Sequence, residues 1–367
     1  MGINDIIIYI MVFFMAVGAI DKCMGNKYGY GEKFEEGFMA MGALALAMVG
    51  VISLAPVLAN VLRPVVSPFY QMLGADPAMF ATTLLANDMG GYPLAMQLAE
   101  TPEAGTFAGL ILGAMMGPTI VFTIPVALGI IKVEDREFLA KGVLAGVVTI
   151  PLGCLVGGLV GGFSLKLILV NLIPIILFAA IIAIGLWKIP AKMIKGFTVF
   201  GQGVVIVITL ALAAIVVETL TGIVVIPGMA PISEGIEIIG AVSITLAGAF
   251  PLVHFITQVF NKPLLKFGKL LGMNETSATG MVASLANSIP MFGLMKDMDE
   301  KGKVLNVAFA VSAAFVFGDH LGFTAGVDRS MIFPMVIGKL VGGISAVALA
   351  SFMYKTTKNK KIVGEAV

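Results

Sequence analysis

Charge is what this chain has least of. Asp, Glu, Lys and Arg make up 12% of its 367 residues, where a soluble domain carries about 25%. Hydrophobic residues make up 59% and the mean hydropathy is +1.03. A soluble fold is therefore excluded. A net charge of +1, with the basic residues at the ends of apolar runs, leaves no footprint for a nucleic acid. With only two histidines, His254 and His320, a histidine-based metal cluster is ruled out. The two cysteines, Cys23 in a polar loop and Cys154 in an apolar run, imply no disulfide framework. The sequence has no H-E-x-x-H, no G-x-S-x-G, no paired metal-ligand cysteines and no Walker A loop. It is read as a non-enzyme without cofactor or metal, and ATP-driven pumping has no support. A basic n-region and an A-x-A cleavage site are also missing, and Asp5 sits where positive charge would be, so residues 3–20 are read as a genuine first span. Position 6 is not the Ser or Thr of a myristoylation site.

What is present is a series of apolar stretches: 3–20, 36–62, 76–100, 105–131, 138–163, 165–187, 199–226, 236–260, 275–296, 303–327 and 330–353. Roughly 20 such residues cross a hydrocarbon core. Between them, six polar segments (21–35, 131–141, 187–198, 261–275, 296–303 and the tail from 355) carry nineteen of the twenty-three Lys and Arg residues. Short loops rich in Lys and Arg stay cytoplasmic. All six can do so only if 76–100 and 275–296 enter the bilayer and return on the same side. The N-terminus then lies outside and the C-terminus inside the cytoplasmic membrane. Both stretches hold helix breakers at mid-length, Asn87-Asp88-Met89-Gly90-Gly91-Tyr92-Pro93 and Asn287-Ser288-Ile289-Pro290. Such backbone is tolerated at membrane depth only inside protein or beside a watery cavity.

An internal repeat underlies the order. Leu84-Leu85-Ala86-Asn87-Asp88 resembles Ser284-Leu285-Ala286-Asn287-Ser288, 200 positions later. Leu73-Gly74 and Leu271-Gly272 precede the two segments, and Gly117 with Phe122 and Gly318 with Phe323 follow them. Residues 1–163 and 197–354 each read span, span, hairpin, span, span, with 164–196 connecting them and 355–367 as a cytoplasmic tail. The expected fold is an all-α polytopic membrane protein, an inverted-repeat transporter with nine full spans and two re-entrant hairpins. In such folds substrates bind near the midplane, where the repeats meet. Gly153, Gly157 and Gly161 share one helix face and read as close helix packing.

Ionisable groups inside spans are costly, so each is a candidate for function. Asp88 leads, at the first break beside Asn87, where a carboxylate suits a cation; the structural reading is an N-cap. Asp319 and His320 follow, within Phe317-Gly318-Asp319-His320-Leu321-Gly322-Phe323. They are a cation ligand and a proton acceptor, or else a buried pair, or Asp319 paired with Lys339. Asn287 is the repeat mate of Asn87, and the two amides converge on one ligand or cap broken helices. Tyr92, Phe122 and Phe323 offer ring faces to an ammonium, or plain packing. Glu218, His254 and Lys339 are read as structural: solvated, bonded to a freed carbonyl, and neutralising Asp319 or Asp328, respectively.

Long stretches resemble a known family: MGINDIIIYIMVFF at 1–14, FEEGFMAMGALALAMVG at 34–50, APVLANVL at 55–62, NDMGGYPLA at 87–95 and GLILGAMMGPTIVFTIPVALGI at 109–130. GVLAGVVTIPLGC at 142–154, ATGMVASLANSIPMFG at 278–293, AFAVSAAF at 308–315, FGDHLGF at 317–323 and MIFPMVIGKLVGG at 331–343 continue the match. The chain resembles the EutH family of bacterial ethanolamine-utilisation permeases. The resemblance implies a cytoplasmic-membrane protein that takes up ethanolamine, surrounded by membrane lipids. It leaves open coupling to H+ or Na+ and assembly into a homo-oligomer. The alternatives are a passive facilitator of ethanolamine or ammonium and a carrier of another small amine. No family motif assigns the site. The physical argument selects Asn87, Asp88, Tyr92, Asn287, Asp319, His320 and Phe323, which together supply carboxylates, amides and rings for a small hydroxylated ammonium.

Overall fold

In lipid a backbone must satisfy its own hydrogen bonds, so apolar runs of this length become helices. The computed structural model describes residues 2–365, with side chains described outside 260–262, 264, 265, 267, 269 and 356–365. Lys262, Lys269 and the tail's Lys358, Lys360 and Lys361, which entered the charge argument, thus lie outside the described side chains. Among the described residues every regular element is helical. The elements are α1 Ile3–Cys23, α2 Tyr30–Met72, α3 Ala78–Leu84, α4 Gly91–Leu98, α5 Pro102–Ile130, α6 Arg136–Val160 and α7 Leu165–Lys188. They continue as α8 Pro190–Thr221, α9 Ile232–Leu270, α10 Glu275–Ser284, α11 Ser288–Leu294, α12 Glu300–Ala313, α13 Asp319–Val327 and α14 Ile332–Glu365.

Eight of the described helices are long and apolar enough to cross a membrane: α1, α2, α5 to α9 and α14. The chain is an all-α polytopic membrane protein. The remaining one of the nine expected spans, 303–327, is two helices, α12 and α13, separated by a break at 314–318 where Phe315 adopts φ 63°. The break precedes Asp319 rather than centring on it. The stretches 76–100 and 275–296 are each a pair of short helices packed on one another, α3 on α4 and α10 on α11. Helices of seven to ten residues span only about 10–15 Å. Before each pair a long helix ends on a left-handed glycine, Gly74 at φ 69° after α2 and Gly272 at φ 70° after α9. A side chain would be strained in that conformation.

The base of each pair is tied by a carboxylate. Asp76 accepts from the N–H of Ala78 (2.9 Å) and, across the stem, of Glu100 (3.0 Å). Asp299 accepts from the N–H of Gly302 (3.1 Å) and, across its stem, of Asn274 (2.8 Å). Burial pushes the Asp76 carboxyl above the usual carboxylate range, opposed by the N–H groups of Ala78 and Glu100. Along the bundle α2 packs on α9 and α6 on α14, while α1 lies on α9 and α8 on α2. The α6–α14 seam is glycine on glycine, with Gly153 and Gly157 against Gly338 and Gly342, as small-residue packing requires; Gly161 lies off that seam, near Phe163.

Candidate functional site

Proline and glycine distort α5 before any tertiary contact is made. Pro118 has no N–H, so the carbonyl of Ala114, four residues earlier, loses its helical donor. The helix narrows to 3-10 geometry over Leu112–Ala114 and widens to π geometry over Phe107–Ile111 and Thr119–Thr123. A similar orphan arises in α12. Phe315 turns its N–H to the carbonyl of Ser284 (3.0 Å) instead of Val311, and Phe317 donates to Leu285 (3.0 Å). The Thr119 hydroxyl of α5 lies within bonding distance of both Met115 O (2.9 Å) and Val311 O (3.2 Å), so α5 helps satisfy the carbonyl that the break in α12 leaves free. On the first side, Gly117 lies against the backbone of Leu85 and Ala86, and Gly318 lies against Ala286 O. A side chain at either position would collide with main chain.

Both short-helix pairs meet this break. The 3-10 turn Asn87–Met89 packs on α13, and residues 284–285 bond the turn at 315–317. Asn87 is fully buried, and neither its amide nitrogen nor its amide oxygen has a partner. Leaving such a group bare costs about 1–3 kcal/mol. Buried hydroxyls of Ser53, Thr82, Ser243 and Thr324, on α2, α3, α9 and α13, are likewise unpartnered. Asp88 and Asp319 are half-buried, on the turn and on the helix that pack against each other. Neither makes an ion pair among the described residues. Asp88 does not cap α4, whose N-cap is Gly90.

Lys339, 1% exposed, donates to Ala114 O and lies 2.9 Å from His320 Nδ1. The expectation that it neutralises Asp319 or Asp328 is therefore corrected: its contacts go to the orphaned carbonyl and the imidazole. His320 is buried at 2%, and its ring lies tilted at 45° against Phe315 at 5.3 Å, which meets Phe122 at 5.5 Å. Tyr92 and Phe323 pack edge to face at 5.7 Å. Phe323 is fully buried, so only the half-buried Tyr92 ring is open to another molecule. Asn287 uses its side-chain oxygen to cap α11 at Ile289 N (2.9 Å), which leaves the two repeat-mate amides in different states. His254 bonds a loop carbonyl, Tyr28 O at 3.3 Å, and Glu218 is half-buried with Oε2 unpartnered instead of solvated.

Sequence reasoning missed the Lys339–Ala114 bond, although Pro118 announces the empty carbonyl. It also missed Thr82 and Thr324, which carry no signal in an apolar run. Two cavities, of about 1320 and 410 Å³, lie elsewhere: one beside Arg136, Trp187 and Lys195, the other beside Asp76, Glu100 and Lys166. Among the described residues no group of three His, Cys, Asp or Glu side chains could hold a metal ion.

No solved structure matches the chain. A probable ethanolamine permease EutH of Listeria monocytogenes is 69% identical, covering 96% of this chain and 95% of its own length. One of the same name from Escherichia coli K12 is 54% identical over 96% of both chains. The protein YxeR of Bacillus subtilis is 54% identical over 96% of this chain and 95% of its own. The family model for the ethanolamine utilisation protein EutH matches residues 3–353, the whole bundle including both breaks, and the chain belongs to that family.

Proposed function

We propose that this protein is an ethanolamine permease, a carrier that brings ethanolamine across the cytoplasmic membrane. The names of its relatives support the substrate. The observation that carries the site is the pair Asn87–Asp88. It is a fully buried amide with no partner beside a carboxylate with no ion pair, on a turn packed against the α12–α13 break. Ethanolamine at neutral pH is a small ammonium with a hydroxyl. Asp88 and Asp319 would take the ammonium, the Asn87 amide and a neighbouring hydroxyl would take the alcohol, and Tyr92 would form a wall. A buried amide left bare in the empty carrier and satisfied by substrate makes binding selective for a molecule that brings its own hydroxyl.

In this reading α3–α4 and α10–α11 are re-entrant hairpins of an inverted repeat, with the N-terminus outside and the C-terminus inside. The matched left-handed glycines 74 and 272, the matched carboxylate ties, and the packing of α2 on α9 and of α6 on α14 support it. Movement of one bundle against the other would expose the site alternately. Counterflow of labelled ethanolamine in proteoliposomes tests the reading. Saturable exchange is expected in the wild type, with loss of at least about tenfold in Asp88→Asn or Asp319→Asn, equivalent to one charge-assisted bond. Full activity in both variants would sink the site, and flux without saturation or trans-acceleration would make the protein a channel.

A further inference from the structure

The larger cavity, about 1320 Å³, opens at the end of the bundle where the basic segments gather. Residues of three such segments, 131–141, 187–198 and 296–303, line it together with the end of α14. It lies between α8, which packs on α2, α5, α7 and α9, and the set α6, α12 and α14, which pack on one another. Its floor is apolar: Leu186, Ile194 and Val304 are buried there, beside Leu144. Its rim is charged and aromatic. Lys141 is paired with Glu137, and Glu300 accepts from the Tyr354 hydroxyl (3.5 Å). Arg136 and Lys195 are exposed and make no ion pair among the described residues. Three cations thus face two carboxylates that already have partners, and the groups left open are Arg136 and Lys195. The starts of α6 and α8, neither with a side-chain cap, lie on the same rim and add partial positive charge. Trp187, 74% exposed, stands on the rim as an amphipathic ring does at a membrane–water boundary.

We propose that this cavity binds one anionic phospholipid, its phosphate held by Arg136 and Lys195 at the uncapped starts of α6 and α8 and its acyl chains lying on the apolar floor. Two features select this occupant. The volume exceeds the roughly 300–1,000 Å³ of sites that hold small molecules. The open charges are cationic, so they suit a phosphate and repel an ammonium. An Arg fork bonds two phosphate oxygens at once, and Lys adds a point charge. Basic pockets between membrane helices recognise anionic headgroups in this way. The bound lipid braces α8 against the α6–α12–α14 group across the gap between them. In the orientation proposed above, the site lies in the cytoplasmic leaflet. The inference does not depend on what the protein transports.

Trp187 is the chain's single tryptophan, so its fluorescence reports on the rim of this cavity alone. The full-length protein is placed in phosphatidylcholine nanodiscs carrying increasing amounts of dibrominated phosphatidylglycerol, whose bromines quench a nearby indole. Each open cation gives roughly a fivefold preference for an anionic lipid. Quenching should therefore reach half its limit when phosphatidylglycerol makes up no more than about a tenth of the lipid. Dibrominated phosphatidylcholine should quench only in proportion to its share. Arg136→Gln with Lys195→Gln should shift half-quenching to about half of the lipid, because the preference is lost. Lys188→Gln, next to Trp187 but outside the cavity wall, should leave the wild-type curve nearly unchanged. Equal quenching by the two lipids in the wild type overturns the site, and this result stands even if the double variant fails to fold. Recovery of fluorescence on adding ethanolamine would make the cavity a substrate vestibule, and recovery on adding inorganic phosphate would make it a plain anion site; either overturns the lipid. Saturable counterflow, which tests the permease reading, is expected in the wild type whichever way the quenching falls.

Discussion

Replacing Gly117 by alanine adds one methyl group where the structure has no room for it. The new Cβ would collide with the carbonyl of Leu85 and the nitrogen of Ala86, main-chain atoms of the first helix break that cannot rotate away. Inserting a methyl into a packed interior costs about 1–3 kcal/mol, and more where backbone must move. The control is Gly203, within α8, where an added Cβ meets nothing within 4 Å. There alanine should stabilise by about 0.5–1 kcal/mol through helix propensity alone. The two variants should therefore differ by about 1.5–4 kcal/mol. At about 2–4 °C per kcal/mol, their melting temperatures separate by at least roughly 3 °C. Thermal unfolding of the detergent-purified protein, followed by intrinsic fluorescence or thiol exposure, measures this, and counterflow shows whether the break has shifted. Gly318→Ala, which would strike Ala286 O, should behave like Gly117→Ala. Equal melting temperatures for Gly117→Ala and Gly203→Ala would refute the close approach of α5 to the break, and with it the geometry of the site.

Lys339→Met strips Ala114 O of its donor and should cost about 1–3 kcal/mol in thermal stability. Adding Pro118→Ala restores the helical N–H and should recover part of that loss, whereas equal stability of the single and double variants would show that Lys339 does not serve this carbonyl. A cysteine introduced at Glu103 should react with a membrane-impermeant thiol reagent added from outside; labelling only from the cytosol would reverse the re-entrant reading of α3–α4.

Much of the architecture was legible because lipid leaves the backbone few choices. Apolar runs had to be helices, and the polar, Gly and Pro cluster at 87–93 and the Asn, Ser and Pro cluster at 287–290 had to interrupt them. What resisted reading was where a broken helix sends its freed groups. Phe317-Gly318-Asp319 signals a break, but the break begins at Ala314, because Phe315 finds a better acceptor in Ser284 than in its own helix. Asn87 and Asn287 look equivalent in sequence. Only packing leaves one bare while the other caps α11.

The sequence by itself determined that the chain lives in a membrane, that its apolar segments are helical, that 87–93 and 287–290 interrupt them and which carboxylates lie among them, since all of these follow from local composition and from the missing N–H of proline. The tertiary structure alone decided which groups answer each break. The donor to Ala114 is 225 residues away in Lys339, and the acceptor for Phe315 is Ser284 at the end of α10. Pairings at such separation depend on how helices pack, and local sequence does not encode that geometry.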